Sequence, residues 1–265
     1  RKIAILSKAP YTGPAMRQNF RSTDDITPLP WKQLEAYLAD AGHELDLRLP
    51  PRQFAGGMGN LNYLIQFDSK PCVLRRPPLG PIPPGANDMA REHRVLSSLW
   101  RSFSLAPQSL LYCEDESVLG AHFLIMEYRN GTAIQGGTWP PDMSNADRHA
   151  VCALLVNSLA ELHAVNPAAV DLGNFGKPDG FLDRAIRGWD KRLKVASDSE
   201  PPAPSREVSD WLATNVPSTD NATLLHNDFK LDNVVLDLES LEPVAVLDWD
   251  MGTRGDPLVD LGAML

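Results

Sequence analysis

Three oxygen-bearing side chains near the C-terminal end of the chain are spaced as a phosphoryl-transfer site requires. Asp228 follows His226 in a His-x-Asp pair, and Asn233 comes five residues after Asp228. Asp248 ends a later apolar run. Magnesium usually binds one or two carboxylates and fills its other positions with substrate phosphates and water. Asp228, Asn233 and Asp248 could therefore hold a metal–nucleotide complex for phosphoryl transfer.

Two short apolar runs explain how these side chains would meet. Val234–Leu238 and Val244–Leu247 flank a linker of turn-type residues, which predicts a β-hairpin. In an antiparallel hairpin the start of the first strand lies beside the end of the second. Asn233 and Asp248 should therefore be neighbours, and the loop that carries Asp228 should lie at the same end.

Other chemistries have weaker support in the sequence. One of these acids alone is better explained as a loop residue that caps a turn, and only the joint spacing favours a metal site. The sequence holds no Gly-x-Ser-x-Gly elbow and no recognisable Ser-His-Asp or Cys-His arrangement. His163, at the end of a predicted helix, is interpreted as structural. A metal-dependent phosphohydrolase using the same acids is the last-ranked alternative, because the strand-rich segment upstream would then have no role.

A glycine-rich segment lies far upstream of these acids. Gly56, Gly57 and Gly59 stand between two predicted strands, Leu47–Phe54 and Leu61–Phe67. Because glycine has no side chain, backbone N–H groups in such a loop can approach a phosphate closely. An ordinary glycine-rich turn has the same composition, so this loop indicates a nucleotide site only together with the other parts.

A charged strand follows the glycine loop. Pro71–Arg76 is a predicted strand, and an arginine that points inward from it needs a counter-charge or an anion. Arg75 and Arg76 face opposite sides, so a one-residue slip decides which of them points inward. Glu92, in the predicted helix Met89–Trp100, could pair with Arg75, although a solvated surface glutamate is the alternative.

The chain changes from strand-rich to helix-rich at residues 127–131, which favours an α+β protein with two lobes. We predict an N-terminal tail (1–30), a β-rich lobe (31–128) and a helical lobe (129–265), with a nucleotide in the cleft between the lobes. The other predicted elements are a helix over Trp31–Ala41, a hairpin of Ser109–Cys113 and His122–Glu127, and helices from Ser144 to His163, over Gly180–Ala196, over Ser205–Val216 and from about Pro257.

The composition narrows the class of protein. The chain has 265 residues, a formal net charge of -9 and a pI near 5.1, which argues against non-specific nucleic-acid binding. It has no apolar run long enough to span a membrane, and the apolar run at its start is too short for a signal peptide. Its cysteines, Cys72, Cys113 and Cys152, follow no metal-binding spacing. We interpret them as reduced thiols and expect a cytoplasmic protein.

Five segments together resemble one family. The sequences FAGGMGNLNYLI, CVLRRPPLG, REHRVL, LLHNDFKLDNVVLD and VAVLDWDMGTRGDPLVDLG resemble the aminoglycoside phosphotransferase/choline kinase group, which has a bilobal protein-kinase-like fold. They look most like the kinase-like domain fused to some acyl-CoA dehydrogenases and its free-standing bacterial relatives. The resemblance covers roughly Leu47 to the C-terminus. Relatives continue with helices that form much of the acceptor pocket, which we expect to lie outside this chain.

The resemblance implies roles for residues of the C-terminal lobe. Asp228 would orient the acceptor hydroxyl and accept its proton, and Asn233 and Asp248 would hold Mg²⁺. His226 would brace the catalytic loop. Lys230 would neutralise the transferred phosphoryl group. Asp260 would support the loop from a helix start, and Asp250 would lie beside the metal site.

The resemblance also implies the nucleotide contacts. Arg75 stands where most relatives place a strand lysine that contacts the α- and β-phosphates, and Glu92 would be its helix partner. The backbone around Glu127 and Tyr128 would meet the adenine. Arginine in place of lysine should change the phosphate geometry, because its guanidinium is planar and rigid. Asn227 stands where glycine is common, which could tighten the catalytic loop.

These implications favour an ATP- and Mg²⁺-dependent phosphotransferase that acts on a hydroxyl group of a small molecule. The likeness to the dehydrogenase-fused branch suggests a hydroxyacyl thioester as acceptor, and the net charge also permits an aminoglycoside. The alternative is a nucleotide-binding module with little catalysis, which the arginine at position 75 and the loose glycine loop suggest.

Overall fold

The computed structural model describes residues 20–56, 59–81, 85–197, 202–217, 221–237 and 239–264. Its N-terminal lobe is an antiparallel five-stranded sheet with three helices. In chain order these elements are α1 (Trp31–Asp40), β1 (Arg52–Gln53), β2 (Leu61–Phe67), β3 (Lys70–Arg76), α2 (Met89–Leu96), β4 (Ser109–Cys113), α3 (Glu116–Leu119) and β5 (Phe123–Glu127). The strand order across the sheet is β1-β2-β3-β5-β4.

The two faces of this sheet bury different helices. The central strand β3 is paired on both sides and is buried from Cys72 to Arg76. Cys72 and Leu74 share one apolar cluster with α1, whereas Val73 packs with α2 in another cluster. The alternation of strand side chains between the two faces therefore sends neighbouring residues of β3 to different surroundings.

The chain before β2 differs from its prediction. The predicted strand Leu47–Phe54 is wrong over residues 47–51, where Pro50 and Pro51 interrupt the strand because proline has no N–H to donate. Residues 20–30, predicted as tail, pack on the sheet. Phe20 pairs with Phe54, and the Tyr63 hydroxyl donates to the carbonyl oxygen of Thr27 at 2.7 Å.

The C-terminal lobe combines helices with two small sheets. Its elements are β6 (Thr132–Ala133), α4 (Asn145–Ala164), α5 (Phe181–Ala196), α6 (Ala203–Thr214), β7 (Thr223–Leu225), β8 (Val234–Leu236), β9 (Pro243–Val246), β10 (Thr253–Gly255) and α7 (Leu258–Met264). One sheet has the order β6-β8-β9, and the other pairs β10 with β7.

Helix α2 joins the two lobes. The apolar cluster under it contains Val73 and Val95 from the N-terminal lobe and Leu224, Phe229 and Trp249 from the C-terminal lobe. Asp88 caps the start of α2 by accepting a hydrogen bond from the backbone of the helix. The helix therefore packs directly on the segment that follows Asp248, and it is shorter than predicted, since it ends at Leu96 before a short 3-10 turn. The predicted boundary between the lobes at residue 128 stays a prediction.

Candidate active site

The hairpin of β8 and β9 brings Asn233 and Asp248 to one end, as the sequence predicted. Val234 is paired with Val246 across the hairpin. One residue further out, the Leu247 N–H donates to the Asn233 carbonyl oxygen at 2.8 Å. Asn233 precedes the first strand and Asp248 follows the second, so both residues lie at the same end of the hairpin.

Asp228 is held at this end by two neighbours. The amide nitrogen of Asn233 donates to the carboxylate and to the carbonyl oxygen of Asp228, both at 2.9 Å. The ammonium group of Lys230 lies 2.9 Å and 2.8 Å from the two carboxylate oxygens. The hydrogen bond to Asp228 raises the pKa of Lys230, so this lysine stays charged. The Asp228 carboxylate is therefore fixed in direction and lies beside a positive charge.

The loop that carries Asp228 is supported from behind by Asp260. Its carboxylate accepts hydrogen bonds from the backbone N–H of His226 at 2.8 Å and of Asn227 at 2.6 Å. His163 approaches the same carboxylate at 3.0 Å. Asn227 has a φ of 67°, a left-handed conformation that glycine and asparagine adopt most readily. Asparagine therefore suits the position that the resemblance associates with glycine.

His226 links the loop that carries Asp228 to the end of β9. Its Nε2 lies 2.8 Å from the carbonyl oxygen of Leu247, which can only accept, so Nε2 carries the proton. Burial lowers the pKa of His226, because a charged imidazole would lose its water. Among the described residues its Nδ1 has no hydrogen-bond partner. The side chain is buried and neutral, which suits a brace better than a base.

Arg75 is the arginine of β3 that faces Glu92 of α2 and Asp248. Its Nε donates to a Glu92 carboxylate oxygen at 2.6 Å, its Nη2 donates to Asp248, and its Nη1 lies 3.3 Å from the side-chain oxygen of Asn62. Arg76 faces the other way and donates to backbone carbonyl oxygens of Pro77 and Leu119. The predicted pairing of Arg75 with Glu92 is therefore confirmed, and the register of β3 separates the two arginines.

Glu92 holds the segment after Asp248 as well as Arg75. It is fully buried, and its second carboxylate oxygen accepts from the backbone N–H of Trp249 at 3.3 Å. Burial raises the pKa of Glu92, and the charge of Arg75 opposes that rise. One glutamate thus connects α2 to β3 and to the residue after Asp248.

A second carboxylate lies next to Asp248. Burial and the neighbouring charge of Asp248 together raise the pKa of Asp250 to about 7. Two carboxylates close together in a partly buried place repel each other unless a proton or a cation lies between them. The resemblance implies that Asp250 lies beside a metal site. In the structure Asp250 belongs to a short 3-10 turn that follows Asp248, so the two carboxylates are not arranged as on an alternating strand.

The donor set fits a hard cation such as Mg²⁺. Asp248 offers carboxylate oxygens, and the amide nitrogen of Asn233 donates to Asp228, which leaves the Asn233 Oδ1 for another partner. No group of three or more His, Cys, Asp or Glu side chains forms a metal cluster in the part of the chain that the structure describes. The carboxylate of Asp248 with the carboxamide of Asn233 is a smaller donor set than such a cluster, and it suits magnesium, which takes further oxygens from phosphates and water.

The glycine loop is only partly described. Gly57 lies outside the described residues, whereas Gly56 and Gly59 stand on either side of that gap. The side-chain amide of Asn87 donates to the carbonyl oxygen of Gly59 at 2.8 Å and to the side chain of Asn60 at 2.9 Å. The loop before α2 is therefore tied to the glycine loop.

Three residues of this region were missed in the sequence. Asn60 and Asn87 carry the contact with the glycine loop, and no short-range pattern links two asparagines 27 positions apart. Gln135 donates to the carbonyl oxygen of Asp232 at 3.1 Å and lies next to Gly56. It therefore contacts the loop that carries Asp228 and lies close to the start of the glycine loop.

The predicted adenine contacts lie where the N-terminal sheet ends. Glu127 is the last residue of β5, and its carboxylate accepts from Arg129 at 2.9 Å. Tyr128 follows it and is partly buried against the main apolar cluster.

The described helices include none that is long and apolar enough to cross a membrane.

Comparison with known proteins gives the family. The model of the phosphotransferase enzyme family matches residues 51–265. Acyl-CoA dehydrogenase family member 11 of Homo sapiens is 35% identical over 235 residues, which are 87% of this chain and 30% of that protein. Family member 10 of Mus musculus is 32% identical over 244 residues, 92% of this chain and 23% of that protein. The chain thus spans less than a third of these curated relatives.

Solved structures show the same fold. A Ralstonia eutropha protein assigned to the aminoglycoside phosphotransferases has a TM-score of 0.71 and 29% identity, over 89% of this chain and 69% of that one. A thermostable mutant of aminoglycoside phosphotransferase APH(4)-Ia, solved with ADP and hygromycin B, has a TM-score of 0.61 and 18% identity, over 87% of this chain and 75% of that one. The chain has the bilobal protein-kinase-like fold of these enzymes and belongs to the phosphotransferase enzyme family.

Proposed function

We propose that this protein transfers the terminal phosphoryl group of ATP to a hydroxyl group of a small molecule, with Mg²⁺ as cofactor. The observation that carries the proposal is that Asp228 and Asp248, at the same end of the β8–β9 hairpin, have different partners. Asp228 is held by Asn233 and Lys230, while Asp248 belongs to the cluster of Arg75 and Glu92. One carboxylate is thus available to the acceptor and the other to the nucleotide.

Asp228 would act on the acceptor. Its carboxylate orients the hydroxyl and accepts the proton as the oxygen attacks the γ-phosphorus, and the bond from that phosphorus to the departing ADP breaks. Lys230, within hydrogen-bond distance of both carboxylate oxygens, would shift towards the transferred group and offset its negative charge. His226, neutral and buried, keeps the loop in place.

The nucleotide side uses different residues. Arg75 would contact the α- and β-phosphates, and Gly56, Gly57 and Gly59 would let the loop approach them. The backbone at Glu127 and Tyr128 would meet the adenine. Magnesium, when held by Asn233 and Asp248, would neutralise charge on the phosphates.

The acceptor class is proposed from the relatives. Both named relatives are acyl-CoA dehydrogenase family members, so a hydroxyacyl thioester is our first candidate acceptor. An aminoglycoside such as the hygromycin B bound to one structural neighbour is the second. The free thiols Cys72, Cys113 and Cys152 support the proposal of a reducing, cytoplasmic compartment.

The rival proposal is a nucleotide-binding module with little catalysis. It is favoured by the engagement of Arg75 with Asp248, which leaves the arginine turned towards a carboxylate instead of a phosphate. Such a module would bind ATP and leave every acceptor unchanged.

A metabolite-pool phosphorylation screen tests the proposal. Full-length protein with ATP and Mg²⁺ should yield one phosphorylated product, identified by mass spectrometry. Asp228→Asn should abolish that product, whereas the same chemical change at the exposed Asp142 should leave it unchanged. ATP binding without product over the whole pool would favour the rival module. Release of inorganic phosphate without an acceptor would favour the phosphohydrolase.

A further inference from the structure

Arg75 has more partners than a phosphate-binding residue needs. Separate nitrogens of its guanidinium bind Glu92, Asp248 and Asn62. The arginine is 5% exposed and Glu92 is 0% exposed, so water screens their pairing little. A planar fork of five donors reaches acceptors on separate sides at once, whereas a lysine carries all of its donors on one nitrogen.

The contact with Asp248 creates a competition. Asp248 is the carboxylate proposed for Mg²⁺, and in the structure its Oδ1 accepts a hydrogen bond from the Arg75 guanidinium. A divalent cation that arrives alone would have to displace this positive group, or bind next to it and be repelled. The phosphates of a nucleotide offer the guanidinium a second anionic partner, so their arrival would free the Asp248 oxygen for the metal.

We propose that Arg75 serves as a built-in counter-ion for Asp248 and thereby makes metal binding conditional on nucleotide. This inference rests on the proposed function, because it concerns the same site. Binding linkage is reciprocal, so the nucleotide strengthens metal binding and the metal strengthens nucleotide binding by one common factor. Typical coupling between ligands changes affinity by roughly 5- to 150-fold.

Two substitutions in one strand separate the counter-ion from general disturbance. Arg75→Lys keeps a positive charge beside Glu92 but removes the fork that reaches Asp248. Arg76→Lys changes an equally buried neighbour whose guanidinium contacts the carbonyl oxygens of Pro77 and Leu119. Both variants are compared with the wild type by circular dichroism and melting temperature before use.

The measurement is metal binding without turnover. Mn²⁺, which substitutes for Mg²⁺ and has a paramagnetic signal, is titrated into the protein with and without the non-hydrolysable analogue AMP-PNP. We expect wild-type affinity for Mn²⁺ to rise roughly tenfold or more with the analogue. Arg75→Lys should bind Mn²⁺ alone roughly tenfold more tightly than the wild type does. Arg76→Lys should behave as the wild type, and Asp248→Asn should lose the binding.

Two results would overturn the counter-ion. One is a wild-type protein that binds AMP-PNP and yet binds Mn²⁺ alone as tightly as with the analogue. The other is a folded Arg75→Lys variant whose affinity for Mn²⁺ alone is unchanged. Failure of the proposed function gives a different result, because a protein that binds no nucleotide or phosphorylates nothing still shows whether Arg75→Lys tightens metal binding.

Discussion

His163 and Asp260 meet behind the loop that carries Asp228, with the imidazole Nε2 3.0 Å from a carboxylate oxygen, although 97 positions separate them. The same carboxylate accepts two backbone N–H groups of the loop. His163 lies in the last turn of α4 and Asp260 in the first turn of α7. Two helices of the C-terminal lobe thus fix the loop from which Asp228 projects.

Asp260→Asn should lower both stability and turnover. Asparagine keeps one acceptor oxygen and places an amide donor against a backbone N–H that donates already. A buried donor without an acceptor costs about 1 to 3 kcal/mol. We expect urea unfolding to show a loss of this size, with a larger proportional loss of turnover than of nucleotide affinity. His163→Gln, which removes a single partner of Asp260, should cost less, and an equal or larger loss would contradict this arrangement.

Asp250 should make stability depend on pH. Its folded pKa of about 7 lies above the ordinary value of 3.8, so the folded protein holds a proton that the unfolded chain releases between these values. Stability should therefore fall as pH rises from 4 to 7 in the absence of metal. Asp250→Asn removes this contribution.

Urea unfolding in EDTA at several pH values measures the Asp250 effect. The difference between wild type and Asp250→Asn cancels the contributions of other titrating groups, such as the buried His226. We expect that difference to change mainly between pH 4 and pH 7. A stability difference that stays constant from pH 4 to pH 7 would show that Asp250 does not have the raised pKa. Added Mg²⁺ should stabilise the wild type more at pH 8 than at pH 5, because the metal and the proton compete.

Asn87 should set nucleotide affinity through the glycine loop. It has a φ of 54° and binds the carbonyl oxygen of Gly59 and the side chain of Asn60. Asn87→Gly removes the amide and keeps the left-handed backbone accessible. We expect this variant to raise KM for ATP severalfold and to leave kcat nearly unchanged, since Asp228 is untouched.

Asn87→Ala provides the comparison. It removes the same amide, and its left-handed backbone adds about 1 kcal/mol of strain, so it should also lower the melting temperature. Equal KM values in both variants and the wild type would show that the contact does not position the loop. Equal KM increases with unequal melting temperatures would separate the amide from the backbone.

Sequence reasoning succeeded where the pattern is local. The runs on either side of the turn in the β8–β9 hairpin are short and apolar, so the meeting of Asn233 and Asp248 followed from strand geometry alone. The side of Arg75 did not follow, because a two-residue period leaves the register open by one position. Only the pairing of β3 with both neighbours fixes it, with Arg75 opposite Asn62 and Leu124.

Contacts between distant segments could not be predicted. The bond from Asn87 to Asn60 depends on a left-handed residue in a loop, which no periodicity indicates. The prediction of a strand from Leu47 was wrong for a local reason. Apolar residues alternate there, but two prolines lack the N–H donors that a strand needs. The candidate site residues Asn233 and Asp248 were easier to find because their spacing reflects one hairpin.

Glu92 offers the last test, because stability and catalysis should separate there. Its carboxylate binds Arg75 at 2.6 Å and the backbone of Trp249 at 3.3 Å, with no exposure to water. Breaking a buried pair by removing one partner typically costs about 3 to 5 kcal/mol, because the other charge stays buried. Glu92→Gln should therefore destabilise the protein strongly.

Replacing both partners should restore stability without restoring activity. In the double variant Arg75→Met with Glu92→Leu no unpaired charge is buried, and Asp248, whose side chain is 35% exposed, keeps contact with water. Such apolar replacements of buried pairs are often neutral or stabilising. Phosphoryl transfer should remain absent, since the phosphates lose their arginine. Chemical denaturation and turnover of all three proteins check this together, and a double variant as unstable as Glu92→Gln would show that packing, not charge, dominates at this position.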